Sequence, residues 1–236
     1  MDMPIETTLL THTPGPDAIV AAASRLCYRD VPTADLLDAE AREASEGLID
    51  HLWRSGHLSP FEHASFTFGV DGLSRVASHQ LVRHRLASFS QQSQRYVGMD
   101  RPAVVVPPSV ASIPEAHALF VARAEASWRA YGELIDLGVP QEDARYVLPH
   151  GWETRLVLTM NARELHHFFS LRLCRRAQWE IRELARQMLV ACRRAAPLLF
   201  RRAGPSCVFG PCAEARPCGR PYRDVEEILT GDEERR

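Results

Sequence analysis

The chain has 236 residues, 45% of them hydrophobic and 25% charged, which is typical of a soluble globular protein. Its net charge of −2 argues against a protein built to coat nucleic acid, and all 28 basic residues are Arg, which excludes chemistry that needs Lys, such as a Schiff base to pyridoxal phosphate. No apolar run approaches the ~20 residues of a membrane span, and the first residues do not resemble a secretory signal, so we predict a cytoplasmic protein without a membrane partner.

The first half of the chain predicts mainly helices, with a few strands interspersed without strict alternation. Apolar spacing indicates a helix over 33–56 that Gly56 ends, and a second helix over 72–85. The alternation of "HASFTFGV" (63–70) indicates a strand, and "PAVVVPP" (102–108) reads as a short buried strand. A long amphipathic helix is expected from Glu115 to Leu137, ended by Gly138.

The second half continues with a strand over "WETRLVLTM" (152–160) and a helix that starts at Ala162. Asn161 caps that helix, with Glu164 three residues later in a capping-box arrangement. "AQWEIRELARQMLVACRRAA" (177–196) predicts a last long helix. We therefore expect an α+β fold, mostly helical with a small mixed or antiparallel sheet, as one catalytic domain over 1–202. Residues 203–236 form a Cys-, Gly- and Pro-rich extension that ends in the charged tail "GDEERR", which we expect to be frayed.

Two windows without acidic residues stand out in this slightly acidic chain. The first runs from Asp71 to Asp100 and contains Arg75, His79 and the sequence "VRHRLASFSQQSQRYV" (82–97). The second runs from Glu164 to Glu180. A basic helix end is one explanation for each window, but two together favour an anion site, because Arg offers planar paired donors to phosphate or carboxylate. No GxGxxG or GxxxxGK motif is present, so a nucleotide would bind outside the standard nucleotide folds.

The segment "RHRLASFSQQSQRY" (83–96) resembles the signature of the flavin-dependent thymidylate synthases. Four more segments resemble that family in order and spacing, "GHLSPFEHASFTF" (56–68), "GVPQEDARYVLP" (138–149), "NARELHHFFSLR" (161–172) and "AQWEI" (177–181). The resemblance implies the thymidylate synthase-complementing fold and a homotetramer with active sites between subunits. It implies methylation of dUMP to dTMP, with FAD as cofactor and methylenetetrahydrofolate and NADPH as co-substrates.

The resemblance also assigns residues. Arg172 is the expected catalytic residue, which would stabilise negative charge on the uracil ring. Residues similar to FAD contacts are Ser59, Arg83, His84, Arg85, Gln91, Asn161, Arg163 and His167. Residues similar to dUMP contacts are Gln80, Arg83, Gln91, Gln92, Ser93, Gln94, Arg95, Arg145 and Arg172. His57 falls near where the folate would approach, and Ser93 is expected to bind phosphate or base rather than to act as a nucleophile.

Two other functions stay open from the residues alone. One is an RNA- or nucleotide-binding module that uses the basic Arg83–Arg95 loop. The other is a metal-dependent hydrolase with His57 and His63, the His166–His167 pair, or a set of cysteines as ligands. Those histidines lack an HExxH spacing, and Cys207, Cys212 and Cys218 lack a clear fourth ligand, so no metal site is predicted.

Overall fold

The computed structural model describes residues 5–30, 32–36 and 46–231, and the chain forms two compact units. The first unit contains Val70–Arg83, Ser90–Leu156 and the described residues before Thr7. The second contains the described parts of Thr7–Gly69, His84–Phe89 and Val157–Arg236. No described helix combines the length and the apolar composition that crossing a bilayer requires.

Helices and a small sheet make up both units, which confirms the predicted α+β class. Four strands form an antiparallel sheet in the order β1-β2-β4-β3. In chain order the elements are β1 (Glu6–His12), α1 (Pro16–Leu26), α2 (Glu46–Arg54), β2 (Ser65–Ser74), α3 (Arg75–Leu81), β3 (Ala87–Gln91), α4 (Pro108–Ala111), α5 (Pro114–Asp136), α6 (Gln141–Ala144), β4 (Glu153–Asn161), α7 (Ala162–Arg172), α8 (Trp179–Ala195) and α9 (Val225–Thr230). Short 3-10 helices lie at Thr33–Asp35, Ser59–His63, Arg145–Val147 and Ser206–Val208.

Several helix ends follow directly from the sequence. Asn161 caps α7 by accepting the Glu164 N–H at 2.9 Å, as predicted. The helix α5 ends in a Schellman motif, in which Gly138 N–H donates to the Ile135 carbonyl and Val139 N–H donates to that of Leu134. Gly138 adopts φ +86°, a left-handed conformation that glycine adopts without the steric cost of a Cβ.

Three predicted elements differ from the structure. The helix expected over 72–85 is only α3, because β2 continues to Ser74 and the Ser74 hydroxyl caps α3 at Ala77 N–H. The prediction of a strand at "PAVVVPP" is wrong. Val104 forms only an isolated bridge with Trp152, and the flanking prolines have no N–H to extend the pairing. Of the helix expected over 33–56, α2 covers 46–54, and 37–45 lie outside the described residues. Most of the charged tail, 232–236, also lies outside them.

The core of the second unit is aromatic. Phe66 and Phe68 of β2, Phe168 and Phe169 of α7, and Phe200 are all fully buried. The ring of Phe200 packs edge-on against that of Phe66, with centroids 5.2 Å apart. Burying a Phe side chain contributes about 1.5–3 kcal/mol to folding, so this cluster holds α7 firmly against the sheet. The helix α7 is thereby a rigid base for the polar residues that it carries.

Candidate functional site

A chain of three polar side chains, two buried and one half-buried, lies in the second unit. The Arg172 Nε–H donates to His84 Nε2 at 3.1 Å, and His84 Nδ1 lies 2.9 Å from Glu164 Oε1. A guanidinium can only donate, so Nε2 accepts and the histidine proton is on Nδ1, where it donates to the carboxylate. The structure therefore fixes one tautomer of His84 and, through it, the orientation of the Arg172 side chain.

The spacing of α7 explains this arrangement. Glu164, Phe168 and Arg172 are four residues apart, so they form one stripe along the helix. The Phe168 ring meets the His84 ring edge-on at 5.0 Å between centroids. Burial lowers the pKa of His84, and the charges of Arg172 and His167 lower it further, while Glu164 raises it. The net lowering favours the neutral imidazole that the hydrogen bond from Arg172 requires.

Exposed donors accompany this polar chain within the same unit. Arg85, His167 and Ser59 are exposed, and the His167 ring lies 5.7 Å from the His84 ring between centroids. Arg163 is also exposed, and its guanidinium pairs with Glu62 at 2.5 Å, so an anion would compete with that carboxylate. Asn161 uses its side-chain oxygen as the α7 cap. These cationic and amide groups have the chemistry that the phosphates and ring carbonyls of a dinucleotide need.

The same cluster also offers metal ligands. Ligand atoms of His84, Glu164 and His167 lie within 4.8 Å of one another. Both ring nitrogens of His84 already make hydrogen bonds, however, and one partner is a guanidinium, which would repel a metal ion at that nitrogen. His166, which the hydrolase alternative pairs with His167, is fully buried, donates from Nε2 to the Leu199 carbonyl at 2.8 Å and stacks on Phe200. It is a core residue, so the geometry disfavours that hydrolase alternative.

The first unit contains a separate basic cavity of about 490 Å³. Its lining residues are Arg75, His79, Gln94, Arg145, Tyr146, Leu148, Pro149 and His150. Gln94 and Arg145 were predicted as substrate contacts, and the structure brings them together here. The sequence indicates Arg75 and His79 only as members of the acid-free window. Nothing in the sequence distinguishes His150 as a site residue.

The two arginines of this cavity give it an unbalanced positive charge. Burial lowers the pKa of Arg75, and the charge of Arg145 lowers it further. The Nε–H of Arg75 is buried without a hydrogen-bond acceptor, and neither arginine pairs with a carboxylate among residues 5–30, 32–36 and 46–231. Arg145 is held in place by a hydrogen bond from its Nε–H to the Glu142 carbonyl at 3.0 Å. Two close guanidiniums have the positive charge and the hydrogen-bond donors that an anion requires.

Gln91, Gln92 and Ser93 of the signature segment make hydrogen bonds within the protein. Gln91, at the end of β3, donates from Nε2 to the Thr154 hydroxyl at 3.1 Å, and the Gln92 backbone N–H donates to the Arg155 carbonyl. The Ser93 hydroxyl accepts the Arg95 N–H at 3.2 Å, which makes it a turn-forming residue, and its own O–H stays available to donate.

The arginines of the signature differ in their environments. Arg95 pairs with Glu142 at 2.6 Å, with both side chains about half exposed. Gln80 is half-buried on α3, and Arg83 is exposed just after Val82, the C-cap residue of that helix. Arg83 therefore lies directly beyond the C-terminus of α3, where the helix dipole favours a cation.

Fold and clusters together define an α+β protein with two groups of arginine and histidine side chains whose charge and donors suit anionic ligands. Comparison with known proteins narrows this class. A family model described as "Thymidylate synthase complementing protein" matches residues 8–198. Among curated proteins, the flavin-dependent thymidylate synthase of Geobacter sulfurreducens is 51% identical over 219 residues, covering 92% of this chain and 94% of that protein. The Clostridium tetani protein of the same name is 43% identical, with 92% and 94% covered.

A solved structure agrees with these matches. The UMP/dUMP methylase PolB from Streptomyces cacaoi, bound with 5-Br dUMP, superposes with a TM-score of 0.73 at 30% identity, covering 84% of this chain and 93% of that one. The chain belongs to the thymidylate synthase complementing protein family. The family resemblance that the five sequence segments indicated is thereby confirmed.

Proposed function

We propose that this protein is a flavin-dependent thymidylate synthase that methylates C5 of dUMP to give dTMP. Relatives with that name match nearly the whole chain, and the solved relative is named as a UMP/dUMP methylase. The observation that carries the proposal is the cavity in which Arg75 and Arg145 lie without carboxylate partners among the described residues. A nucleoside monophosphate supplies the dianion that such a pair of guanidiniums would bind.

In this proposal the basic cavity binds the phosphate of the nucleotide. Arg145 offers its two terminal nitrogens, since its Nε–H is used on the Glu142 carbonyl. Arg75 offers its buried Nε–H, which gains an acceptor when a phosphate enters. Charge-assisted hydrogen bonds of this kind are about twice as strong as neutral ones, so phosphate binding would account for a large share of the affinity for dUMP.

Arg172 is the proposed catalytic residue. Its Nε–H donates to His84 Nε2, which orients the guanidinium group. C5 becomes nucleophilic when the pyrimidine ring carries negative charge at N3 and its adjacent carbonyl, and a prepositioned guanidinium stabilises that charge without reorganising. A reduced flavin, when bound, supplies the hydride that converts the transferred one-carbon unit into a methyl group. Glu164 and His84 act on this step only by holding Arg172 in place.

FAD is the flavin that we propose, held by the exposed donors of the second unit. Arg85 and Arg163 supply positive charge for its phosphates, His167 supplies a ring N–H, and Ser59 supplies a hydroxyl. Arg83, Gln91 and Asn161 stay predicted contacts on the basis of the family resemblance. NADPH as reductant, methylenetetrahydrofolate as carbon donor, the homotetramer, the cytoplasmic location and the absence of a nucleic-acid partner are further parts of this proposal.

The phosphate site can be tested by binding alone. Isothermal titration of the purified protein with dUMP, and separately with deoxyuridine, measures what the phosphate contributes. Arg145→Ala should weaken dUMP binding by roughly 10- to 100-fold, since a charge-assisted contact contributes about 1.5–3 kcal/mol, and should leave deoxyuridine binding nearly unchanged. Arg123→Ala is the matched control, because Arg123 is exposed on α5 of the same unit and outside the cavity.

The reaction itself is tested by product analysis. Purified protein with FAD, NADPH and methylenetetrahydrofolate should convert dUMP to dTMP, identified by chromatography and mass. UMP is offered in parallel because the solved relative is named for both nucleotides. A protein that binds no flavin and methylates neither nucleotide would contradict the proposed function and favour the nucleotide-binding module.

A further inference from the structure

The segment after Phe200 has little apolar material to hold it in place. Beyond residue 202, the buried hydrophobic residues among those described are Ala203, Tyr222 and Ile228, and 209–217 are exposed throughout. Polypeptide that buries so little apolar surface is usually fixed by a disulfide or a structural metal. Three of the six cysteines, Cys207, Cys212 and Cys218, lie in this segment.

The structure brings a fourth cysteine to this segment. Cys174 lies in the turn between α7 and α8, and the next residues of that turn contact the extension directly. The Arg176 guanidinium donates to the Arg216 carbonyl and lies 4.0 Å from the Glu214 carboxylate. The Arg175 guanidinium lies over the Tyr222 ring and pairs with Glu227 at 2.5 Å. The turn that carries Cys174 is thus fastened on both sides to the segment that carries the other three.

A hydrogen bond also connects the residues next to two of the other cysteines, Cys207 and Cys212. The Ala213 N–H donates to the Ser206 hydroxyl at 2.9 Å, so the residues next to Cys212 and Cys207 are in contact. Four residues separate Cys207 from Cys212, which is within the C-x2–4-C range of structural zinc sites. The Cys207 and Cys218 thiols and the Glu214 carboxylate lie close enough to the Cys174 thiol to interact with it electrostatically.

One of the sulfur atoms already accepts a backbone hydrogen bond. The Arg220 N–H donates to Cys218 Sγ at 3.4 Å, from two residues after the cysteine. This turn passes through Gly219 at φ +73°, a left-handed conformation that glycine adopts without strain. An N–H directed at sulfur stabilises the thiolate, which is the form that binds a metal ion.

We propose that Cys174, Cys207, Cys212 and Cys218 form a four-thiolate site for a structural zinc ion that fastens the C-terminal extension to the α7–α8 turn. Thiolates that repel one another become mutually compatible when a divalent cation lies between them. A set of four sulfur ligands selects Zn²⁺ over Mg²⁺ or Ca²⁺, which prefer oxygen. In the described part of the chain the cysteine sulfurs do not form a group of three within 4.8 Å, so binding would draw the exposed 209–217 loop inward.

Metal analysis of the full-length protein tests this inference without any activity measurement. Protein purified without chelator from zinc-supplemented cells should contain about one zinc per chain by elemental mass spectrometry. A mercurial thiol reagent should release that zinc in a chromogenic chelator assay. Protein reconstituted with Co²⁺ should show the visible bands of tetrahedral cobalt–thiolate.

Cysteine variants assign the ligands. Cys174→Ser should lower the zinc content at least several-fold, and Cys27→Ser should retain it, because Cys27 is exposed at the end of α1 and far along the chain from the cluster. Full zinc retention by Cys174→Ser would remove Cys174 from the site. If that variant does not fold, the inference is tested on the wild-type protein. A zinc content below about 0.1 per chain, or a disulfide among these cysteines found by non-reducing mass spectrometry, would overturn the inference.

Discussion

Glu164 provides the sharpest test of how the second unit positions Arg172. Its carboxylate and the His84 ring are only 5% and 4% exposed, so water cannot easily replace either partner. In Glu164→Ala the Nδ1–H of His84 is left buried without its acceptor. In Glu164→Gln the side-chain carbonyl can still accept that hydrogen bond. The pair of variants therefore separates loss of the hydrogen bond from loss of the charge.

The expected magnitudes follow from this contact. Removing the acceptor of a buried hydrogen bond to a charged group costs about 1.5–3 kcal/mol, partly offset because the carboxylate no longer has to be desolvated. A net loss of about 2 kcal/mol lowers the Tm of a chain this long by roughly 4–8 °C. Turnover should fall by about 10- to 100-fold in Glu164→Ala, because the tautomer of His84 and the aim of Arg172 are no longer fixed.

The assays are thermal unfolding and dTMP formation as a function of pH. Glu164→Gln should stay within about tenfold of the wild-type turnover. Because Glu164 raises the pKa of His84, both variants should move any acid limb caused by His84 to lower pH. Equal loss of turnover in the Ala and Gln variants would refute the idea that an acceptor fixes the tautomer. Wild-type stability and turnover in Glu164→Ala would show that the three-residue chain has no positioning role.

Two further predictions concern Arg172 and the core. Arg172→Ala should reduce turnover at saturating dUMP by roughly 30- to 1000-fold, because a donor that stabilises developing charge contributes about 2–4 kcal/mol. Arg172→Lys should restore only part of that turnover. Loss of FAD with normal dUMP binding would instead assign Arg172 to the flavin site. Burial lowers the pKa of His166 to about 4 from its usual 6.5, so the contribution of this neutral histidine to stability is fully present above about pH 6.5 and falls by about 3 kcal/mol as the pH drops toward 4. Urea unfolding across that range should show a shallower pH dependence in His166→Phe, and an identical slope in both proteins would contradict the buried neutral histidine.

The sequence alone determined the family and the parts of the fold that depend on local order. Helix ends at Asn161 and Gly138 were predictable because caps depend on a few adjacent residues. The strand β2 was predictable because its alternating Phe66 and Phe68 have a period of two. The short strand β3 was missed, since its polar sequence "ASFSQ" gains strand conformation only by pairing along the sheet.

The tertiary structure decided which charged residues act together. The sequence placed His84 and Arg172 in separate basic windows, and only packing of α7 revealed that Glu164 and Arg172 hold the same imidazole. It likewise brought Arg75 to Arg145, which are 70 positions apart in the chain. Cys174 became a candidate fourth ligand only when its turn was seen against the extension. Local patterns are encoded by neighbours in sequence, whereas these clusters depend on long-range contacts that burial and electrostatics select when the whole chain folds.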